Sequence, residues 1–115
     1  MEIADNILRY PLRNVLFVNG CAYAGKSTLC AMLAQKHGLY HYRENSRAAE
    51  HRRLADPAHQ PELCYPFGDW ERFFNRSPED YERWIYQGGA EEAGMEIIDL
   101  IQLAQDRRGI VDSII

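Results

Sequence analysis

The sequence has no apolar run approaching the ~20 residues of a membrane span, and its start lacks the basic-then-apolar pattern of a secretory signal. A cytoplasmic protein without a membrane partner is the expectation. Cysteine is scarce: Cys21, Cys30 and Cys64 leave an odd one over and show no C-x-x-C spacing, so neither a disulfide framework nor a zinc site is suggested. His37, His41, His51 and His59 show no H-x-x-x-H pattern either, and they read as surface or partly buried imidazoles. An excess of positive charge is also missing. The net charge is -4 and the pI near 5.5, which argues against a nucleic-acid partner, since non-specific binding of a polyanion needs a basic face. No internal repeat or low-complexity tract is present. At 115 residues and 46% apolar composition, one small domain spanning 1–115 is expected.

What the sequence does contain is Gly20-Cys21-Ala22-Tyr23-Ala24-Gly25-Lys26-Ser27, followed by Thr28. This matches G-x-x-x-x-G-K-[ST], a pattern that carries meaning only between a strand and a helix. Both flanks fit. Asn14 to Asn19 is a short, mostly apolar run with the character of a buried parallel strand. Beyond the motif Leu29, Met32 and Leu33 recur at helical spacing, and Gly38 stands where a left-handed C-cap belongs.

The chemistry accounts for the residue types. Backbone N–H groups must curl around a phosphate at close range, so Gly20 and Gly25 supply the turn and the clearance. Lys26 then reaches the β and γ phosphates, Ser27 offers its hydroxyl to Mg²⁺, and the positive end of the helix macrodipole faces the anion. The phosphate-binding set is Gly20, Cys21, Ala22, Tyr23, Ala24, Gly25, Lys26, Ser27 and Thr28. The plain alternative is a glycine-containing turn with a solvated lysine.

Leu39 to Arg43 reads as a second strand, completing a right-handed βαβ unit. Ligands of open α/β sheets bind at the C-terminal strand ends, which makes Glu44 a candidate general base facing the γ phosphate; its bland reading is a solvated loop acid. Asn45 or Ser46 is expected to cap a helix running to about Asp56. Eleven of the thirteen basic residues are arginine, and Arg43, Arg47, Arg52 and Arg53 fall close together. They could clamp an anionic acceptor, or simply solvate a helix face.

Residues 57–68 read as an irregular connection. Asp69 to Phe74 suggests a short helix with Trp70, Phe73 and Phe74 inward. Ser77-Pro78-Glu79-Asp80 starts a longer one, with Tyr81, Trp84, Ile85, Ile97, Ile98 and Ile101 at helical spacing, interrupted or weakened near Gly88-Gly89 and Gly94. Arg108-Gly109 should end it. Ile110 to Ile115 looks like a third buried strand, interrupted by Asp112, an acid placed to hold Mg²⁺ directly or through water.

Taken in order, these features resemble the N-terminal half of a P-loop kinase of the small-molecule phosphotransferase type, the adenylate, gluconate and shikimate kinase-like superfamily. The residues that carry the resemblance are Gly20 to Thr28, Glu44 at the end of the second strand, and Ile110-Val111-Asp112. It implies an α/β, three-layer P-loop kinase-like fold whose parallel sheet is truncated to three strands, order 2-3-1, with flanking helices. It also implies ATP and Mg²⁺ as cofactors, Lys26, Glu44 and Asp112 as catalytic groups, and Ser27 and Asp112 as metal ligands. Many relatives have an aspartate or Asp-Asp pair where this chain has Glu44-Asn45. The family continues with two further strands and an arginine-bearing lid, whereas this chain stops after strand three. Strand one is then expected to present an open edge suited to a homodimer. A non-catalytic nucleotide-binding or self-associating module is the alternative to a kinase.

Overall fold

The structure, a computed structural model, describes residues 2–21, 24–44, 46–64 and 70–113. The elements run α1 (Asp5–Arg9), β1 (Val15–Val18), α2 (Lys26–His37), β2 (Tyr40–Arg43), α3 (Ala48–Leu54), α4 (Trp70–Phe74), α5 (Pro78–Leu103) and β3 (Gly109–Asp112). The strands form one parallel sheet in the order β1-β3-β2. This is the expected 2-3-1 order counted from the opposite edge. Two compact units are present: residues up to Ser46 with those from Glu96 onward, and Arg47–Met95, the division falling within α5.

The first unit is built on β3, whose four residues are all buried. Successive strand residues point to opposite faces, and the register pairs His41 with Ile110, Tyr42 with Val111 and Arg43 with Asp112. Tyr42 and Val111 therefore share a face, where Leu100 of α5 completes the core and Leu12, Val15 and Leu103 pack around it. The Tyr42 hydroxyl donates to Oδ2 of Asp99 at 2.9 Å, and the Ser113 hydroxyl to Oε2 of Glu96 at 3.0 Å. Both acceptors lie on α5, so this helix covers one face. The other face, with His41, Ile110 and Asp112, is left to α2.

Helix α2 begins and ends at glycines with left-handed backbone, Gly25 at φ 83° and Gly38 at φ 65°, the second donating its N–H to the Ala34 carbonyl. The C-cap is the expected one. The inward face is not. Leu29 and Met32 are exposed and Cys30 is fully buried, because the helix turns Lys26 and Cys30, one turn apart, toward the sheet.

In the second unit, α3 starts at Ala48 after Arg47, with no side-chain cap, rather than being capped by Asn45 or Ser46; Asn45 lies outside the described residues. It stops at Leu54, three residues before Pro57. The Ser77 cap is as expected, its Oγ accepting the Asp80 N–H at 3.1 Å. Of the three aromatics expected inward on α4, only Phe73 is partly buried; Trp70 and Phe74 are exposed. Phe73 sits edge-on to Tyr81 and Trp84, with centroids 5.9 and 5.6 Å away.

Helix α5 corrects the expected break at its glycines. It runs unbroken through Gly88, Gly89 and Gly94. Its buried positions include Glu92, Glu96 and Leu100, whereas Tyr81, Ile85 and Ile98 are exposed. Partners explain the acids: Glu92 meets Nδ1 of buried His51 at 2.5 Å and Glu96 meets Ser113. The helix ends at Leu103, and Gly109, expected to stop it, is instead the first residue of β3. Asp69, Ile114 and Ile115, placed in elements by the sequence reading, lie outside the described residues.

Candidate functional site

The segment from Gly20 to Thr28 joins the C-terminal end of β1 to α2, as the motif requires. Gly25 needs its left-handed backbone, where a side chain would be strained. Gly20 does not show the expected need for clearance: a Cβ there would meet Ala24 Cβ at 3.9 Å and Lys26 Cδ at 4.0 Å, ordinary contacts. The Ala24 N–H donates to the Cys21 carbonyl at 3.2 Å. Ala22 and Tyr23 lie outside the described residues. No acidic side chain occupies the first turn of α2 and no side chain caps it. The helix dipole is thus not neutralised locally. Cys21, Ser27 and Thr28 are exposed beside it.

Asp112 stands at the C-terminal end of the central strand, directly in register with Val18, the last residue of β1. Its side chain is 5% exposed, and Oδ1 lies 3.6 Å from the Lys26 ammonium, itself 13% exposed. The other oxygen, Oδ2, lies 3.7 Å from Nε2 of His41. Cys30 completes the group: Cys30, His41 and Asp112 each bring a potential ligand atom within 4.8 Å of the others. Burial pushes the Cys30 thiol pKa up, the Asp112 charge adds to this and the Lys26 charge opposes it.

Two of the three expected catalytic groups, Lys26 and Asp112, are therefore brought into contact by their side chains. Glu44 follows β2 and its backbone N–H donates to the Asp112 carbonyl at 2.7 Å, which sets it at the same strand end with an exposed side chain. Arg43 is exposed at the last position of β2. Arg47, Arg52 and Arg53 belong to the second unit, at the start of and along α3, and are also exposed.

Cys30 and His41 were not singled out by sequence. The available signal was the spacing of Cys30 four residues after Lys26, which puts both on one helix face. His41 had only its position two residues before the end of a strand. Comparison with known proteins finds no matching family model, no matching curated protein and no matching solved structure. Among the described residues, no helix is long and apolar enough to cross a membrane.

Proposed function

We propose that the chain is an ATP-binding P-loop protein related in mechanism to small-molecule kinases. The observation that carries this reading is the 3.6 Å pair between Lys26 and Asp112, at the adjoining C-terminal ends of two parallel strands, one of which leads into the glycine-bounded segment. An anion-binding loop needs a lysine, an unneutralised helix start and a nearby acid for a counter-cation, and these are the groups found together.

In this reading Lys26 and the amides of Gly20 to Thr28 hold the phosphates. Ser27 and Asp112 hold Mg²⁺, Asp112 directly or through water. When bound, the ion offsets charge on the phosphate oxygens. Glu44 accepts the proton of the acceptor hydroxyl, and Arg43 orients an anionic acceptor. The exposure of Ser27, Thr28 and Glu44 fits groups that must meet a ligand.

Titration calorimetry with ATP, ADP and Mg²⁺ on the wild type and Lys26→Ala tests the proposal. Micromolar binding abolished by the substitution is expected. No heat at millimolar nucleotide would overturn it. Phosphoryl transfer is then sought in a screen of hydroxyl acceptors, with Glu44→Gln as the variant expected to lose turnover while keeping affinity.

One observation favours a second reading, self-association. Among the described residues β1 pairs only with β3, and Leu16 and Phe17 on it are 52% and 38% exposed. An edge strand with uncovered apolar side chains is a template for pairing with another copy. Light scattering should report a dimer that Phe17→Lys returns to monomer mass; a wild-type monomer at high concentration removes this reading.

A further inference from the structure

Three side chains from three different elements converge beneath the Lys26–Asp112 pair: Cys30 from α2, His41 from β2 and Asp112 from β3. Cys30 is fully buried, and the His41 and Asp112 side chains are 12% and 5% exposed. Such a thiol, imidazole and carboxylate could be ordinary core and strand-end groups. Their geometry argues otherwise. Among the described residues, His41 Nε2 is buried without a hydrogen-bond partner, and at 3.7 Å from Asp112 Oδ2 it is too far to make one. Buried polar atoms are nearly always satisfied, so an orphan imidazole nitrogen facing a carboxylate and a thiol calls for a missing partner.

We propose that Cys30, His41 and Asp112 form a site for a thiophilic divalent cation of the Zn²⁺ type, bound through Sγ, Nε2 and Oδ2. Zinc takes sulfur, nitrogen and oxygen at about 2.0–2.3 Å in tetrahedral geometry, which sets ligand atoms about 3.4–3.6 Å apart. The 3.7 Å between His41 and Asp112 is already near that spacing. Cys30 lies within 4.8 Å of both, so closing the site takes a shift of about 1.4 Å at most, estimated from the same bond lengths. Soft thiolate and imidazole ligands select against Mg²⁺ and Ca²⁺, which take oxygen. On binding, the Cys30 thiol releases one proton to solvent and its sulfur bonds the metal, with the imidazole nitrogen and one carboxylate oxygen as the other two protein ligands. Three protein ligands leave a fourth position exchangeable. Lys26 remains on Oδ1, so the two oxygens of one carboxylate serve two cations.

This site does not rest on nucleotide binding, and its test is run without nucleotide. The reduced full-length chain is titrated with Co²⁺, which reports thiolate ligation by charge-transfer absorption in the near ultraviolet and tetrahedral geometry by visible bands. One equivalent is expected, displaced by Zn²⁺. The charge-transfer band should be lost in Cys30→Ser and retained in Cys21→Ser and Cys64→Ser, and His41→Gln should weaken binding by at least ~10-fold. Absence of the band in wild type, or its survival in Cys30→Ser, would overturn the site. Should Cys30→Ser fail to fold by circular dichroism, His41→Gln decides: unchanged Co²⁺ affinity in that variant refutes the proposal.

Discussion

The Lys26 ammonium and Oδ1 of Asp112 face each other at 3.6 Å across the α2–β3 contact, with little of either side chain exposed. Neither charge is solvated as it would be in water, so each depends on the other. Asp112→Asn keeps the shape and removes the charge. The loss expected is about 1–3 kcal/mol, less than the ~3–5 kcal/mol of a fully buried pair because Lys26 retains some access to water. Urea unfolding measures it. Lys26→Met in the Asp112→Asn background should recover part of the loss, and an unchanged wild-type midpoint in Asp112→Asn would mean that the pair contributes nothing net.

A second pair sits in the other unit. His51 is 2% exposed and its Nδ1 lies 2.5 Å from Oε1 of Glu92, 41 residues away, which ties α3 to α5. Removing one side chain takes this contact from the other, which stays largely buried. Glu92→Leu and His51→Leu are each expected to cost about 1–3 kcal/mol, and the double substitution less than their sum. A thermodynamic cycle by chemical denaturation checks this, and strict additivity would show that the two side chains do not couple.

Local rules account for what was legible in the sequence. The β1–α2–β2 order, the Gly38 C-cap and the Ser77-Pro78 helix start follow from short-range steric and capping preferences, and all three are found. Side-chain direction was less legible because tertiary packing decides it. The apolar Leu29 and Met32 suggested one inward face of α2, but contact with the sheet turns Lys26 and Cys30 inward instead. In α5 the acids Glu92 and Glu96 are buried, Glu92 against His51 and Glu96 against the Ser113 hydroxyl, contacts that no spacing within the helix reveals. The Cys30–His41–Asp112 group has no linear signature as a group: its members are 11 and 71 residues apart, from the numbering, and meet because parallel strands and a crossover helix bring them together.

The turn after α3 gives a pH-dependent prediction. Asp56 accepts from the His59 ring at 2.9 Å and from the backbone N–H groups of Ala58 and His59 at 2.9 and 3.1 Å. Hydrogen bonding from the His59 side chain, then from these amides, holds the Asp56 carboxyl below its ordinary pKa. A lowered folded-state value means the unfolded chain binds more protons in that window. The contribution to stability is therefore complete above the ordinary aspartate range and disappears as pH falls through the lowered value. Carbon-detected NMR of the Asp56 carboxyl should show the depressed midpoint, and His59→Ala should move it up. A midpoint at or above the ordinary aspartate value in wild type would contradict the hydrogen-bonded turn.

Three glycines inside α5 are a reserve of stability. Glycine in a helix interior costs roughly 0.5–1 kcal/mol relative to alanine, because the unfolded chain loses more backbone freedom on folding. The gain from replacement depends on space and backbone angle. A Cβ added at Gly89 or Gly94 meets nothing within 4 Å, and neither position has positive φ. At Gly88 it would touch Glu62 Cβ at 3.6 Å, an ordinary contact. Gly89→Ala and Gly94→Ala should each stabilise by about 0.5–1 kcal/mol, add when combined since they stand more than one turn apart, and raise the thermal midpoint by several degrees. Gly88→Ala should gain no more than these. The measurement is a thermal melt followed at the helix band by circular dichroism. A fall in the midpoint for Gly94→Ala would mean that the helix at that turn is not held as described, and that its glycine serves a bend or a contact instead of being a tolerated weak point.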